Sequence, residues 1–179
     1  MPGRCVVVMA KRPREGAVKT RLAADLGEEA ACRLYEAFLF DTLDACAAAD
    51  ATTMVAFTPA TEAAWFRHFA PGLLLSAQPE GSFGERLRAA MQAAFDAGLS
   101  TVAVIGSDVP HLRSATIDAG LDIAARGRPP WRRPPTAAIA SSRWDHHDRS
   151  SSRTSTGAAV ASLPKPFSES AIPNSISRC

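Results

Sequence analysis

Strand-like apolar runs alternate with amphipathic helical segments over the first 126 residues, and this alternation limits the possible folds more than any other feature. The run at 5–9 (C-V-V-V-M) contains no polar residue, which is typical of a strand buried on both faces. Similar runs predict strands at 53–57, 73–75 and 101–105. Apolar residues spaced by three and four predict helices from about Glu28 and over about 87–95. We therefore predict one α/β domain with a mostly parallel sheet.

Charge and hydropathy argue against two classes of partner. Residues 1–126 carry 12 Lys and Arg against 15 Asp and Glu, whereas residues 127–179 carry 8 against 3. The predicted domain is therefore mildly acidic, and a nucleic-acid binder would place a basic stripe on the folded domain itself. No apolar run approaches the roughly 18 residues of a membrane-spanning helix. We expect neither a nucleic acid nor a membrane as partner, and the oligomeric state is left open.

The first apolar run is also informative about the compartment. It is short, and Lys11 and Arg12 follow it at once, so it does not resemble the apolar core of a signal peptide. The four cysteines form neither a C-x-x-C pair nor a zinc-like spacing. We therefore expect a cytoplasmic protein.

A basic loop follows the first predicted strand and contains Lys11, Gly16, Lys19 and Arg21. Backbone N–H groups of a glycine-containing loop between a strand and a helix can hold phosphates, and nearby cations neutralise them. The loop lacks the spacing of a Walker A motif. A solvated turn is the alternative interpretation.

Two further loops are candidates for a site. In G-S-D-V-P, Asp108 follows the strand that ends at Ile105, a position where ligands of parallel sheets bind. It could hold a divalent cation, or it could cap a turn. The second loop contains Gly81, Gly84, Glu85 and Arg86. One interpretation is that this loop contacts a nucleotide or an acceptor. The alternative is a glycine turn in which the charge of Glu85 interacts favourably with the helix dipole.

Three motifs, in this order, resemble a known bacterial family. They are K-x-P-x-x-G-x-V-K-T-R-L, Q-x-x-G-x-x-G-E-R-L and I-G-S-D-x-P-x-L, and the match spans residues 5 to about 125. The family is DUF2064, whose glycosyltransferase-like proteins are known as radical-SAM/selenodomain-associated transferase 1 or arsenosugar-biosynthesis glycosyltransferases. It is similar to nucleotide-diphospho-sugar transferases of the GT-A type, and more distantly to guanylyltransferases.

The resemblance implies a GT-A-like three-layer α/β sandwich, a nucleotide-diphosphate sugar as substrate, and a divalent metal. Carried over to this sequence, it implies that Lys11, Gly16, Lys19 and Arg21 hold phosphates and that Asp108 binds Mg²⁺ or Mn²⁺. The loop at 81–86 would contact substrate. No catalytic residue is assigned.

The chain departs from the family after residue 126. Family members continue into a segment like G-P-A-x-D-G-G-Y and later a W-S-T-like segment, and neither occurs here. Residues 127–179 instead hold 7 of the 13 prolines and have no sustained periodicity, as in disordered tails. Shifting the reading frame by one base, with GC-rich codons, lets 129–139 spell A-V-A-A-P-A-D-G-G-Y and 153–161 spell D-I-D-W-G-S-G-R. We interpret 127–179 as translated out of frame, after a nucleotide-binding domain at 1–126.

The resulting hypothesis is a GT-A-like, metal-dependent glycosyltransferase that is impaired by its altered C-terminus. A nucleotidyltransferase and a non-catalytic remnant are the alternatives. A third possibility is a basic-tailed protein whose binding to polyanions depends on residues 127–179.

Overall fold

A five-stranded sheet forms the centre of the molecule. The computed structural model describes residues 3–126 and, for the backbone only, 140–142. The strands are β1 (Gly3–Lys11), β2 (Thr52–Thr58), β3 (Leu74–Ala77), β4 (Leu99–Gly106) and β5 (Ala140–Ser142). Their order across the sheet is β3-β2-β1-β4-β5. The first four strands are parallel, and β5 is antiparallel to β4. The carboxyl ends of four strands therefore meet at one edge, where parallel sheets bind ligands.

Within residues 3–126, five helices connect and cover these strands. They are α1 (Thr20–Leu26), α2 (Glu28–Ala47), α3 (Ala63–Phe69), α4 (Phe83–Asp96) and α5 (Ser114–Ala125). A short 3₁₀ turn, Ala60–Glu62, precedes α3. No helix in residues 3–126 is long and apolar enough to cross a membrane.

The alternation of side chains along β1 divides the core into two parts. Val6 and Val8 belong to the cluster formed with α2, α3 and α5, while Cys5 and Val7 belong to the cluster formed with α4. All four side chains are fully buried. Helices cover both faces of the sheet, which explains why this strand carries no polar residue. The predicted three-layer α/β class with a mostly parallel sheet is confirmed.

Helix α1 differs from the sequence-based expectation of a loop that continues to the helix starting near Glu28. It begins at Thr20, directly after Lys19, and it is separated from α2 by Gly27, whose φ of 84° favours glycine. None of its residues is buried. It therefore has no apolar periodicity by which the sequence could reveal it.

Part of the predicted tail pairs with the sheet. The backbone of residues 140–142 lies antiparallel to Val102–Val104 of β4. The out-of-frame interpretation concerns mainly residues 127–139 and 143–179, which lie outside the described residues, and it stays a prediction.

Candidate functional site

A cleft of about 540 Å³ lies at the carboxyl ends of the parallel strands. Its walls are formed by the ends of β1 and β2, the basic loop with α1, the positions that follow β3 and β4, and residues of α2 and α4. The lining residues are Met9, Ala10, Lys11, Ala17, Val18, Lys19, Thr20, Arg21, Leu22, Tyr35, Thr58, Gln78, Phe83, Arg86 and Ser107. Its volume is typical of a site for a small organic ligand.

All the charged side chains among the described lining residues of this cleft are positive. Lys11, Lys19, Arg21 and Arg86 line it, and none of its described lining residues is Asp or Glu. This wall is strongly cationic although residues 1–126 as a whole carry a net negative charge. Such a local excess of positive charge favours anions over cations, although one of the four cations, Lys19, is paired with Asp108.

Lys19 links the basic loop to the loop that follows β4. Its Nζ forms an ion pair with a carboxylate oxygen of Asp108 and lies 5.7 Å from the centre of the Tyr35 ring. Its backbone is left-handed, with φ 48° and ψ 40°, a conformation that few residues other than glycine adopt. Such outliers are concentrated at functional sites, where surrounding contacts hold them in place.

Tyr35 fixes the ends of β1 and β4 beneath the cleft. Its hydroxyl accepts a hydrogen bond from the Lys11 N–H at 3.0 Å and donates to the Lys11 carbonyl at 3.2 Å. The Ser107 hydroxyl lies 2.8 Å away, and donation by Ser107 completes the capacity of a phenol. Burial raises the pKa of Tyr35, although the hydrogen bonds to Ser107 and Lys11 lower it. The phenol therefore stays neutral near pH 7.

Glu62 anchors the basic loop on its other side. Arg12 donates to one oxygen of Glu62 at 2.8 Å and Arg14 pairs with the other at 2.7 Å. Only 9% of the Glu62 side chain is exposed. The Arg12 guanidinium also lies 5.5 Å from the centre of the Trp65 ring, within the range of a cation–π contact. These contacts restrict the path of the loop between β1 and Lys19.

The candidates in the loop at 81–86 differ in their relation to the cleft. In the loop at 81–86, Ser82 and Glu85 form a capping box that begins α4, and hydrogen bonds from Ser82 lower the pKa of Glu85. At Gly81, with φ 133°, a Cβ would come within 2.7 Å of the Glu85 carboxylate. Gly81 and Glu85 thus have structural roles, whereas Arg86 lines the cleft.

The remaining predicted residues lie near the cleft without lining it. Gly16 has a φ of 70°, and a Cβ there would contact the Glu28 carboxylate at 3.3 Å. Gly84 is exposed in the first turn of α4. Asp108 lies one residue beyond the lining residue Ser107 and pairs with Lys19.

Asp108 offers a single carboxylate to a metal ion. The carboxylate lies close to its own strand end, since a Cβ on Gly106 would come within 2.8 Å of it. Within the part of the chain that the structure describes, no group of three His, Cys, Asp or Glu side chains could hold a metal ion. Mg²⁺ commonly uses only one or two carboxylates together with water and substrate phosphates. The residues present therefore fit a metal that arrives with a diphosphate, and they do not form a cage for a metal alone.

Sequence reasoning missed Tyr35, Ser107, Glu62 and Phe83. Tyr35 is one of the apolar residues whose spacing predicts the helix from about Glu28, and core packing is the interpretation of that spacing; this is correct for the ring but gives no indication of the hydroxyl contacts. One signal was available, because Tyr35 is the single tyrosine of the chain and a buried tyrosine hydroxyl usually has a partner.

Comparison with known proteins agrees with the motif resemblance. No curated protein matches the chain. Among solved structures it is similar to a crystal structure named "putative nucleotide-diphospho-sugar transferase" from Desulfovibrio desulfuricans G20, with 32% sequence identity and a TM-score of 0.65. The similarity covers 70% of this chain and 55% of that chain, so this chain spans about half the length of its neighbour. The fold implied by the resemblance is confirmed.

The family assignment rests on a second, independent match. Residues 42–127 match the sequence model of DUF2064, described as "Uncharacterized protein conserved in bacteria". This stretch contains the loop at 81–86 and Asp108, and the structural neighbour has the same overall fold. The two matches support the motif resemblance to DUF2064, and the sequence match to that family covers residues 42–127 of this chain.

Proposed function

We propose that this chain binds the diphosphate of a nucleotide sugar and belongs to a glycosyltransferase-like enzyme. The observation that carries the proposal is the cleft of about 540 Å³ lined by four cationic side chains and, among its described lining residues, by no carboxylate. The name of the neighbouring structure supports the same class of substrate. Four cations exceed what a single carboxylate ligand needs, and they suit a diphosphate.

Lys19 is the cation best placed to respond to a ligand. In the ligand-free protein its ammonium group pairs with Asp108, and 24% of its side chain is exposed. A diphosphate offers Lys19 more negative charge than one carboxylate does, so Lys19 would transfer its hydrogen bond from Asp108 to phosphate oxygen. Asp108 would then be free of its only ion-pair partner among the described residues.

A divalent metal fits this exchange. Mg²⁺ or Mn²⁺ would be held by Asp108 together with phosphate oxygens and water, as the chemistry of hard cations favours. When bound, the metal supplies Lewis-acid stabilisation of the leaving diphosphate. The chain itself contributes Lys11, Lys19, Arg21 and Arg86 to bind and orient the phosphates.

Isothermal titration of the full chain with UDP and GDP, with and without Mg²⁺, tests the proposal. Lys19→Ala should weaken nucleotide binding by about tenfold or more, because it removes a charge-assisted hydrogen bond. Asp108→Asn should abolish the gain in affinity that Mg²⁺ gives while metal-free binding remains. Arg33→Ala is the control, since Arg33 is an exposed cation of α2 paired with Glu29. Unchanged, metal-dependent binding in both site variants contradicts the assignment.

Substrate turnover separates the proposed class from its nearest alternative. A nucleotidyltransferase would release pyrophosphate when it is incubated with a nucleoside triphosphate and a phosphorylated acceptor. A glycosyltransferase would instead release a nucleoside diphosphate from a nucleotide sugar. The same cationic cleft serves either reaction, so product identity is the deciding measurement.

A further inference from the structure

Phe83 is an exposed aromatic residue in the wall of the cleft. Its relative exposure is 64%, the highest of the four large apolar residues left exposed among residues 3–126. The other three are Leu26, Leu74 and Ile123, and none of them lines the cleft. Phe83 does line it. A single exposed apolar side chain is common on protein surfaces, but this phenyl ring lies in the cleft, where a bound ligand would cover it and remove apolar surface from water.

The backbone that carries Phe83 has a defined position. Phe83 is the first residue of α4, directly after the N-cap Ser82, and the capping box between Ser82 and Glu85 fixes that turn. Phe83 belongs to none of the hydrophobic clusters of the described core. A phenyl ring has two side-chain torsions, so ordering it against a ligand costs little conformational entropy.

The surroundings of Phe83 combine cationic and aromatic surface. Arg86 lies three residues further along α4, on the same side of the helix, and lines the same cleft. Its buried Nε has no hydrogen-bond partner among the described residues. Tyr35 is the other aromatic lining residue, but it is buried and its hydroxyl is engaged. Phe83 is therefore the exposed aromatic face among the described residues of the cleft.

We propose that Phe83 is the surface on which the heterocyclic base of the nucleotide stacks. A nucleoside diphosphate joins an anionic part to a flat aromatic part, and the cleft offers both complements: cations for the diphosphate and one phenyl face for the base. The inference deepens the proposed function and rests on it. Stacking on one phenyl face does not depend on hydrogen-bond donors or acceptors, so Phe83 contributes affinity for any base rather than selecting one.

Inorganic pyrophosphate is the probe that isolates the base. The full chain is titrated with pyrophosphate, UDP, GDP and a UDP-sugar. Phe83→Ala should weaken UDP and GDP binding by about tenfold or more, the usual effect of losing a base–aromatic stack. It should leave pyrophosphate affinity unchanged, and Phe83→Trp should retain nucleotide affinity. Ile123→Ala, which removes an exposed apolar side chain outside the cleft, is the matched control.

The outcomes distinguish this inference from the function on which it rests. If the unmodified chain binds neither pyrophosphate nor nucleotide, the proposed function fails and the inference fails with it. If pyrophosphate binds and Phe83→Ala leaves UDP and GDP affinity unchanged, the proposed function stands and the stacking role is wrong. If Phe83→Ala weakens the binding of the UDP-sugar alone, the ring contacts the sugar, which overturns the assignment to the base. Because Phe83 lies outside the described core, the thermal unfolding curve of the Phe83→Ala variant should match that of the unmodified chain.

Discussion

Replacing Tyr35 by Phe removes a single hydroxyl, and that hydroxyl joins two strand ends of the candidate site. The ring, buried with 5% exposure, keeps its packing. The Lys11 N–H at 3.0 Å and the Ser107 hydroxyl at 2.8 Å both lose their partner. The variant therefore tests whether the strand ends depend on this contact or only on the packing of the core around it.

The expected loss of stability is about 2 kcal/mol. A neutral hydrogen bond contributes about 1 kcal/mol net, and a buried polar group left without a partner costs about 1–3 kcal/mol. Ser107 is 6% exposed, so its hydroxyl has little access to water. Lys11 is exposed as a residue, which lets water replace part of the lost contact and keeps the estimate below the sum of both penalties.

Urea unfolding followed by circular dichroism at pH 7 measures this loss. Ser107→Ala and the double variant complete a double-mutant cycle, in which the coupling between the two hydroxyls should reach at least about 0.5 kcal/mol. A change below about 0.5 kcal/mol for Tyr35→Phe, with no coupling to Ser107, would show that the hydroxyl contacts do not hold these strand ends. The Tyr35 pKa is raised in the folded state, so its contribution is complete below pH 10 and is lost as the pH rises through the folded value.

Three further predictions concern the anchor of the basic loop, the buried thiols and the reading frame. Glu62→Gln should lower the free energy of unfolding in urea by about 1–2 kcal/mol and weaken nucleotide binding, because a nearly buried carboxylate loses its charge while its partners keep access to water. The control is Glu29→Gln, in an exposed ion pair, which should lower the free energy of unfolding by less than about 0.5 kcal/mol. Burial raises the pKa of both Cys5 and Cys46 from 9.0 to about 12. Peptide mapping should therefore find neither thiol alkylated by iodoacetamide at pH 8 in the native state. The contribution of the two thiols to the free energy of unfolding should be complete below pH 9 and fall as the pH rises towards 12. Resequencing the coding DNA across codons 120–135 should reveal a one-base shift that restores D-G-G-Y; a confirmed base count with no such frame makes the tail authentic.

The fold was predictable because its central strands and longest helix carry strong periodic signals. A fully apolar run such as 5–9 indicates a strand covered on both faces, and the spacing of α2 indicates its buried side. The weaker elements gave weaker signals. The run at 73–75 predicted a strand that in fact spans Leu74–Ala77, because this edge strand is only partly buried and its boundaries have no clear apolar pattern.

The site was predictable to the extent that its charges lie close together in sequence. Lys11, Lys19 and Arg21 come from one loop, and the structure places them along one cleft with Arg86; their roles as phosphate ligands stay predictions. The contacts of Tyr35 with Ser107 and of Glu62 with the loop join residues that are far apart in sequence. Such pairs are set by the tertiary fold, and no local pattern marks them.

The positions of the cleft and of Asp108 predict that the proposed nucleotide binding and the proposed sugar transfer depend on different parts of the chain. The described lining residues of the cleft all lie within residues 9–107, before the segment that departs from the family. Asp108 follows β4, and the described pairing on the outer edge of β4 covers Val102–Val104. The structural neighbour is almost twice as long as the matched region, and the family motifs expected after residue 126 are missing from this sequence. Nucleotide affinity should therefore be the same in this chain and in a frame-corrected version, whereas sugar transfer should depend on the corrected C-terminal segment.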